Sequence, residues 1–279
     1  MKLGFMQGRL SDMVNGKIQA FPEQEWKLEF ERAQDLPVEV IEWTLDQKGL
    51  YENPLMSVEG RNEIAHLIKK YDLTVLSITG DCFMQHPFYK ATGAEQKALL
   101  SDLRAIIEAA GVLNIRYLMI PLVDNGSIEN EAMADECARH LIALRPLLID
   151  RNMKILFESD FAPQPLAQFI AKFPEDAFGI NYDTGNSAAL GYIASEELLY
   201  YGHRVDNVHI KDRLFQGATV PLGEGAADFE DVFRALKSIS FDGSLILQTA
   251  RAKDGNHIGA LSNYCAFVKT WWEKYATQS

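Results

Sequence analysis

Eight times along the chain of 279 residues, a short β-rich run is followed by a segment with helical spacing, and nothing else in the sequence limits the fold so strongly. The runs fall at 2–6 (KLGFM), 38–43 (VEVIEW), 73–78 (LTVLSI), 115–120 (IRYLMI), 153–158 (MKILFE), 178–182 (FGINY), 205–210 (VDNVHI) and 244–248 (SLILQ). Several are apolar without interruption, as expected of strands covered on both faces. Between them, 95–111 sets Leu99, Leu103, Ile106, Ile107 and Ala110 along one helical face, with Gly111 as the stop. The stretches 134–151 and 228–239 have the same spacing, and Asp228 can cap the second by accepting orphan backbone N–H groups. The tail from His257 predicts a last amphipathic helix in which Trp271 and Trp272 pack against the body.

Strict alternation implies parallel strands joined by right-handed crossovers. Eight such units in this length match a closed (β/α)8 TIM barrel, which takes about 250 residues. An open doubly wound sheet would place a glycine-rich phosphate turn after its first strand, and MQGRLSDMVNG lacks the GxGxxG spacing. No stretch rich in Pro, Gly or Ser divides the chain, so one α/β domain is expected over 1–279.

Composition narrows the partners. The net charge is −12, a field that repels phosphate backbones, so nucleic acid is not an expected partner. No apolar run approaches the roughly 18 residues of a membrane span, and the first residues do not look like a signal peptide. Cys82, Cys137 and Cys265 are far apart and odd in number, which suits free thiols in a reducing compartment. A cytoplasmic protein is expected.

The informative positions are the strand ends, where the reactive groups of a barrel gather. The last four strands finish in Glu158, Asp183, His209 and Gln248, separated by 25, 26 and 39 residues, one strand–helix unit each. Any one of them could be a helix cap or a solvated loop residue, and Asp183 before Thr184-Gly185-Asn186 could cap a helix. Together they would converge on one rim. Two carboxylates, an imidazole and an amide oxygen suit a divalent cation of Mn²⁺, Mg²⁺ or Co²⁺ type, with Zn²⁺ also compatible.

The segments ILFESD, INYDTGN, NVHIKDR, VPLGEGAADF and LILQTAR resemble the xylose isomerase-like barrels. The resemblance runs from the GFMQGRLS opening to the last strand and implies a metal-dependent isomerase or epimerase of a sugar or sugar phosphate. Alternatives are a dehydratase on the same metal site and a non-catalytic sugar-binding barrel; abasic-site nucleases, also in this superfamily, fit the acidic charge poorly. By this resemblance Glu158, Asp183 and His209 match three metal ligands. The fourth, usually glutamate, is Gln248 here. An amide can bind metal through its oxygen but cannot exchange a proton near neutral pH, so one-base chemistry with Glu158 as the proton carrier is expected. A second acid or base would come first from Lys211 or Asp212, with Asp81 and Glu224 also in reach. Arg9, Glu42, His86, Arg213 and Arg251 are the expected substrate contacts. The expected partners are a small carbohydrate and further copies of the same chain, without a membrane.

Overall fold

The computed structural model describes residues 2–276. Strands β1 (Lys2–Met6), β2 (Val40–Thr44), β3 (Thr74–Thr79), β4 (Tyr117–Leu122), β5 (Lys154–Ser159), β6 (Phe178–Asp183) and β7 (Val205–Ile210) run parallel. A small antiparallel ribbon follows, β8 (Asp212–Arg213) with β9 (Thr219–Val220), and then β10 (Ser244–Leu247). β10 pairs with both β7 and β1, so the eight parallel strands close into a barrel with helices outside. This is the (β/α)8 fold that the alternation predicts.

The helices depart from expectation in two places. The segment 134–151 is two helices, Glu131–Ile142 and Arg145–Asp150. Pro146 lacks the N–H that a continuous helix would need there, and it sits instead in the first turn of the second helix, where that loss costs nothing. The helix Gly93–Val112 runs past Gly111, and the left-handed turn is made by Asn114 at φ 57°. Asp228 caps the helix Phe229–Ser238 as expected, accepting the Asp231 N–H at 3.1 Å.

Most of the apolar core lies between the strands and the helical layer, with Phe157, Phe169, Phe173 and Phe178 packed ring against ring. Trp271 and Trp272 pack against this core. Inside the barrel the apolar filling is short: Met6, Val40 and Ile246, with Leu76 against them. Much of the remaining interior is polar and mutually hydrogen-bonded, as burial of such groups demands. Asn207 donates to Asn181 at 2.8 Å and accepts from Ser244 at 2.5 Å, and Ser77 and Thr79 both donate to Glu42.

Two irregularities set which residues face inward. On β3, Val75 pairs with Ile41 but Ser77 with Glu42; on β7, Val205 pairs with Ile180 but Asn207 with Asn181. Each strand therefore carries one extra residue, and the in–out alternation reverses beyond it. That reversal turns Ser77 and Thr79 toward Glu42, and Asn207 and His209 into the interior, leaving Val208 and Ile210 for the outer core.

The three cysteines are buried and unpaired. Among the described residues no helix is long and apolar enough to cross a membrane.

Candidate metal centre and active site

Glu158 lies at the end of β5, Asp183 at the end of β6 and His209 near the end of β7. All three are buried, and one oxygen or nitrogen from each lies within 4.8 Å of the others. Asp183 also caps the helix Thr184–Leu190, accepting the Asn186 N–H on Oδ1 at 2.8 Å and leaving Oδ2 for the centre. Glu158 accepts one amide N–H on each oxygen, from Asn181 at 2.9 Å and Asn186 at 2.8 Å.

His209 is held from behind. Its Nε2 lies 2.7 Å from Glu42 Oε1, which fixes the ring and, in the neutral imidazole, leaves the Nδ1 lone pair facing the carboxylates. Nδ1 is 2.9 Å from Glu158 Oε2 and 3.9 Å from Asp183 Oδ2, yet its geometry makes no hydrogen bond. Gln248, just past β10, shows the same sign. Its amide nitrogen donates to Gln19 Oε1 at 3.0 Å, while its buried Oε1 has no hydrogen-bond partner among the described residues. An imidazole nitrogen facing two carboxylates, with an unpartnered amide oxygen on a residue lining the same cavity, fits a cation with oxygen and nitrogen ligands, so Glu158, Asp183, His209 and Gln248 form a donor set that could hold one.

The electrostatics reflect the crowding. Burial pushes Glu158 up, but the close imidazole of His209, with the charge of Lys211 and the amide of Asn181, outweighs it and leaves this carboxyl below its ordinary range. Asp183 is raised, by burial first and then by the charge of Glu158, with Lys211 opposing. Burial alone would lower His209, but the carboxylates of Glu42 and Glu158 raise it to about 10. A cation entering the centre would displace that proton.

The centre opens into a cavity of about 620 Å³, a size that suits a small carbohydrate. Glu158, Gln248, Asn186, Lys211, Arg213, Asp81, Gln19 and Asp160 are among its lining residues. Lys211 Nζ stands 3.3 Å from Asp183 Oδ2 and 3.2 Å from Asn186 Oδ1. Its stem is pressed against the helix Thr184–Leu190: a Cβ at Gly185 would fall 2.7 Å from Lys211 Cγ.

Several expected contacts lie elsewhere. Asp212 is fully buried and accepts the backbone N–H groups of Gly223, Gly225 and Ala227, so it holds the loop after β9 instead of facing the cavity. Glu42 is also fully buried, and it orients His209 from a place no substrate reaches. His86 is exposed and is not among the cavity residues. Arg9 donates to the Ile18 carbonyl, and Arg251 to those of Ile18 and Ser11; both tie down the long loop after β1. Arg213 lines the cavity, with donors on Gly217 O and Asn186 Oδ1.

Four positioning residues escape the sequence reading: Asn181, Asn186, Gln19 and Glu29. The period-two spacing in GINYD already puts Asn181 on the face of Asp183. Asn186 stands in the DTGN turn. Gln19 and Glu29 carry no periodic signal, because the one lies in an irregular loop and the other on a helix that reaches back to that loop.

A family model described as "Xylose isomerase-like TIM barrel" matches residues 30–264. An inosose dehydratase of Clostridium botulinum (strain Alaska E43 / Type E3) is 26% identical over 151 residues, 46% of this chain and 51% of that protein, so the match spans about half the relative's length. Among solved structures, the D-allulose 3-epimerase of Methylomonas sp. superposes with a TM-score of 0.75 at 14% identity, covering 97% of this chain and 98% of that one. The IOLI protein with a bound zinc atom gives 0.73 at 17% identity, covering 99% of each chain. With most of its length matched by the family model, the chain belongs to the xylose isomerase-like TIM barrel family.

Proposed function

We propose that this protein is a divalent-metal-dependent isomerase or epimerase of a carbohydrate, removing a carbon-bound proton next to a carbonyl. The observation that carries the reading is the convergence of Glu158, Asp183 and His209 beside a cavity that Glu158 and Gln248 line, with the buried His209 Nδ1 and Gln248 Oε1 left without hydrogen-bond partners among the described residues. Glu158, Asp183, His209 and Gln248 would hold the ion. When bound, a divalent ion supplies Lewis acidity to a carbonyl and its neighbouring hydroxyl. Mn²⁺, Mg²⁺ and Co²⁺ suit the oxygen-rich set, and the zinc in a structural neighbour keeps Zn²⁺ in view.

Glu158 acts as the base. It lines the cavity, and His209, Lys211, Asn181 and Asn186 keep it ionised at neutral pH. Lys211 neutralises Asp183 and presents a cationic edge to substrate oxygens. Gln248 cannot receive or return a proton, which argues against an epimerase with matched carboxylates on strands β5 and β10. An unphosphorylated polyhydroxy carbonyl compound is the favoured class. Arg9 and Arg251 spend donors on backbone carbonyls and are not among the residues lining the cavity, so neither offers a fork there to a phosphate.

A dehydratase on the same centre is the second reading, favoured by Gln248 and by the similarity to an inosose dehydratase. Both readings begin with loss of a carbon-bound proton to Glu158. Incubation of the Mn²⁺-loaded protein in D₂O with a panel of ketoses and a ketoinositol tests them. Carbon-bound deuterium should enter the substrate or product with wild type and not with Glu158→Gln. Exchange that survives in that variant sinks the assignment.

A further inference from the structure

The proposed function leaves one proton unassigned. When Glu158 takes a proton from carbon, a substrate oxygen has to gain one, and Gln248 cannot give it. Four carboxyl groups line the cavity: Asp81, Asp124, Glu158 and Asp160. Asp124 is exposed, and Asp160 is partly exposed and receives the Ser127 hydroxyl. Asp81 is as buried as Glu158, at 4% exposure against 5%. It follows β3, two places along the barrel wall from β5.

Asp81 is also linked to position 248. Gln248 donates its amide to Gln19 Oε1 at 3.0 Å, and Gln19 donates its own amide to Asp81 Oδ2 at 2.6 Å. This chain turns Gln248 Oε1 away from Gln19 and occupies one oxygen of Asp81. Among the described residues no hydrogen bond reaches the other oxygen.

Resting on the reading above, we propose that Asp81 exchanges the proton with substrate oxygen while Glu158 exchanges one with substrate carbon. In an isomerisation, Glu158 removes the proton from the carbon beside the carbonyl, the C–H pair becomes the C=C bond of an enediol, and Asp81 protonates the carbonyl oxygen. Asp81 then takes the proton of the neighbouring hydroxyl as Glu158 returns its proton to the former carbonyl carbon. In a dehydration, Asp81 protonates a hydroxyl one carbon further on, the C–O bond breaks, and water leaves. Both carboxyls then reset by exchange with solvent.

The surroundings suit a proton donor. Burial raises Asp81 to about 7; Gln19 opposes this, and the charges of Asp46, Glu158 and Glu42 add to it. Arg9 from the β1 loop and Cys82 beside it are the other titratable groups facing it. A carboxyl poised near neutral pH is a better acid catalyst than one ionised throughout.

The test compares Mn²⁺-loaded wild type, Asp81→Asn and Glu158→Gln in D₂O with D-fructose, D-tagatose and a ketoinositol. Asp81→Asn should lower product formation ~10²–10⁴-fold and abolish the high-pH fall in kcat/KM, with Mn²⁺ affinity unchanged. Asp81→Ser, rescued by added formate, is the second variant should the first fold poorly. Product formation by Asp81→Asn at the wild-type rate, with Glu158→Gln inactive, overturns the role of Asp81 alone. A loss of rate matched by an equal loss of Mn²⁺ affinity also overturns it, since Asp81 would then act only through Gln19 and Gln248. No deuterium exchange by wild type with any probe overturns the proposed function and this inference with it.

Discussion

The two sides of the barrel mouth bury similar acids and use them differently. On the β1–β3 side, Glu29 accepts the N–H groups of Gly8 and Leu10 and the Ser11 hydroxyl, and Glu42 accepts from Ser77, Thr79 and His209. The buried atoms left over there include the donors Gln7 Nε2, Arg9 Nε and Arg251 Nη2. On the β5–β10 side the leftover atoms include His209 Nδ1, which faces the carboxylates of Glu158 and Asp183 and becomes an acceptor once its proton is displaced, and the acceptor Gln248 Oε1. Acceptors facing acceptors call for a proton, a cation or a donor group between them. A buried acid is therefore poor evidence of chemistry by itself; the sign of the unsatisfied atoms around it separates scaffold from reactive centre.

Glu29→Gln should break the scaffold side and spare the other. Its amide would set N–H groups against backbone N–H groups, costing about 3 kcal/mol, with Mn²⁺ affinity unchanged. Burial holds the Glu29 proton to about 7 in the fold against an ordinary 4.5. The wild-type contribution is then full below pH 4.5 and is lost as pH climbs through 7, roughly 3 kcal/mol in all. Urea unfolding across that window should show the slope in wild type and a flatter one in the variant; parallel curves would remove Glu29 as the cause. Glu42→Gln crosses between the two sides, because this scaffold acid orients a candidate ligand. It should weaken Mn²⁺ binding by ~10–100-fold, measured by calorimetry, and an unaltered isotherm would show that His209 needs no such support. The smallest change expected is from Gln248→Glu, which adds one negative charge to the centre and should tighten Mn²⁺ by about tenfold. Equal affinities would remove Gln248 from the ligand set.

The eight-fold alternation was readable because parallel strands buried on two faces need long apolar runs, and the positions of Glu158, Asp183, His209 and Gln248 followed from where those runs stop. The roles of Asp212 and Glu42 were not readable. Both are acids at strand ends, like Asp183, and what sets them apart is which N–H or hydroxyl groups meet them: loop amides 223–227 for Asp212, and Ser77, Thr79 and His209 for Glu42. Those partners come from loops and neighbouring strands whose register no single segment specifies. Arg9 and Arg251 misled for the same reason, since guanidinium groups that anchor a long loop have the same spelling as groups that grip an anion.

The extra residue in β7 has a consequence for how this site can change. Asn207 and His209 point at the barrel axis because the extra residue is taken up as a bulge and does not carry the alternation forward. A regular strand continued from Val205 with every residue kept would send the imidazole outward among the helices and bring Val208 and Ile210 to the axis. The centre is thus guarded by a local irregularity of the backbone as much as by chemistry.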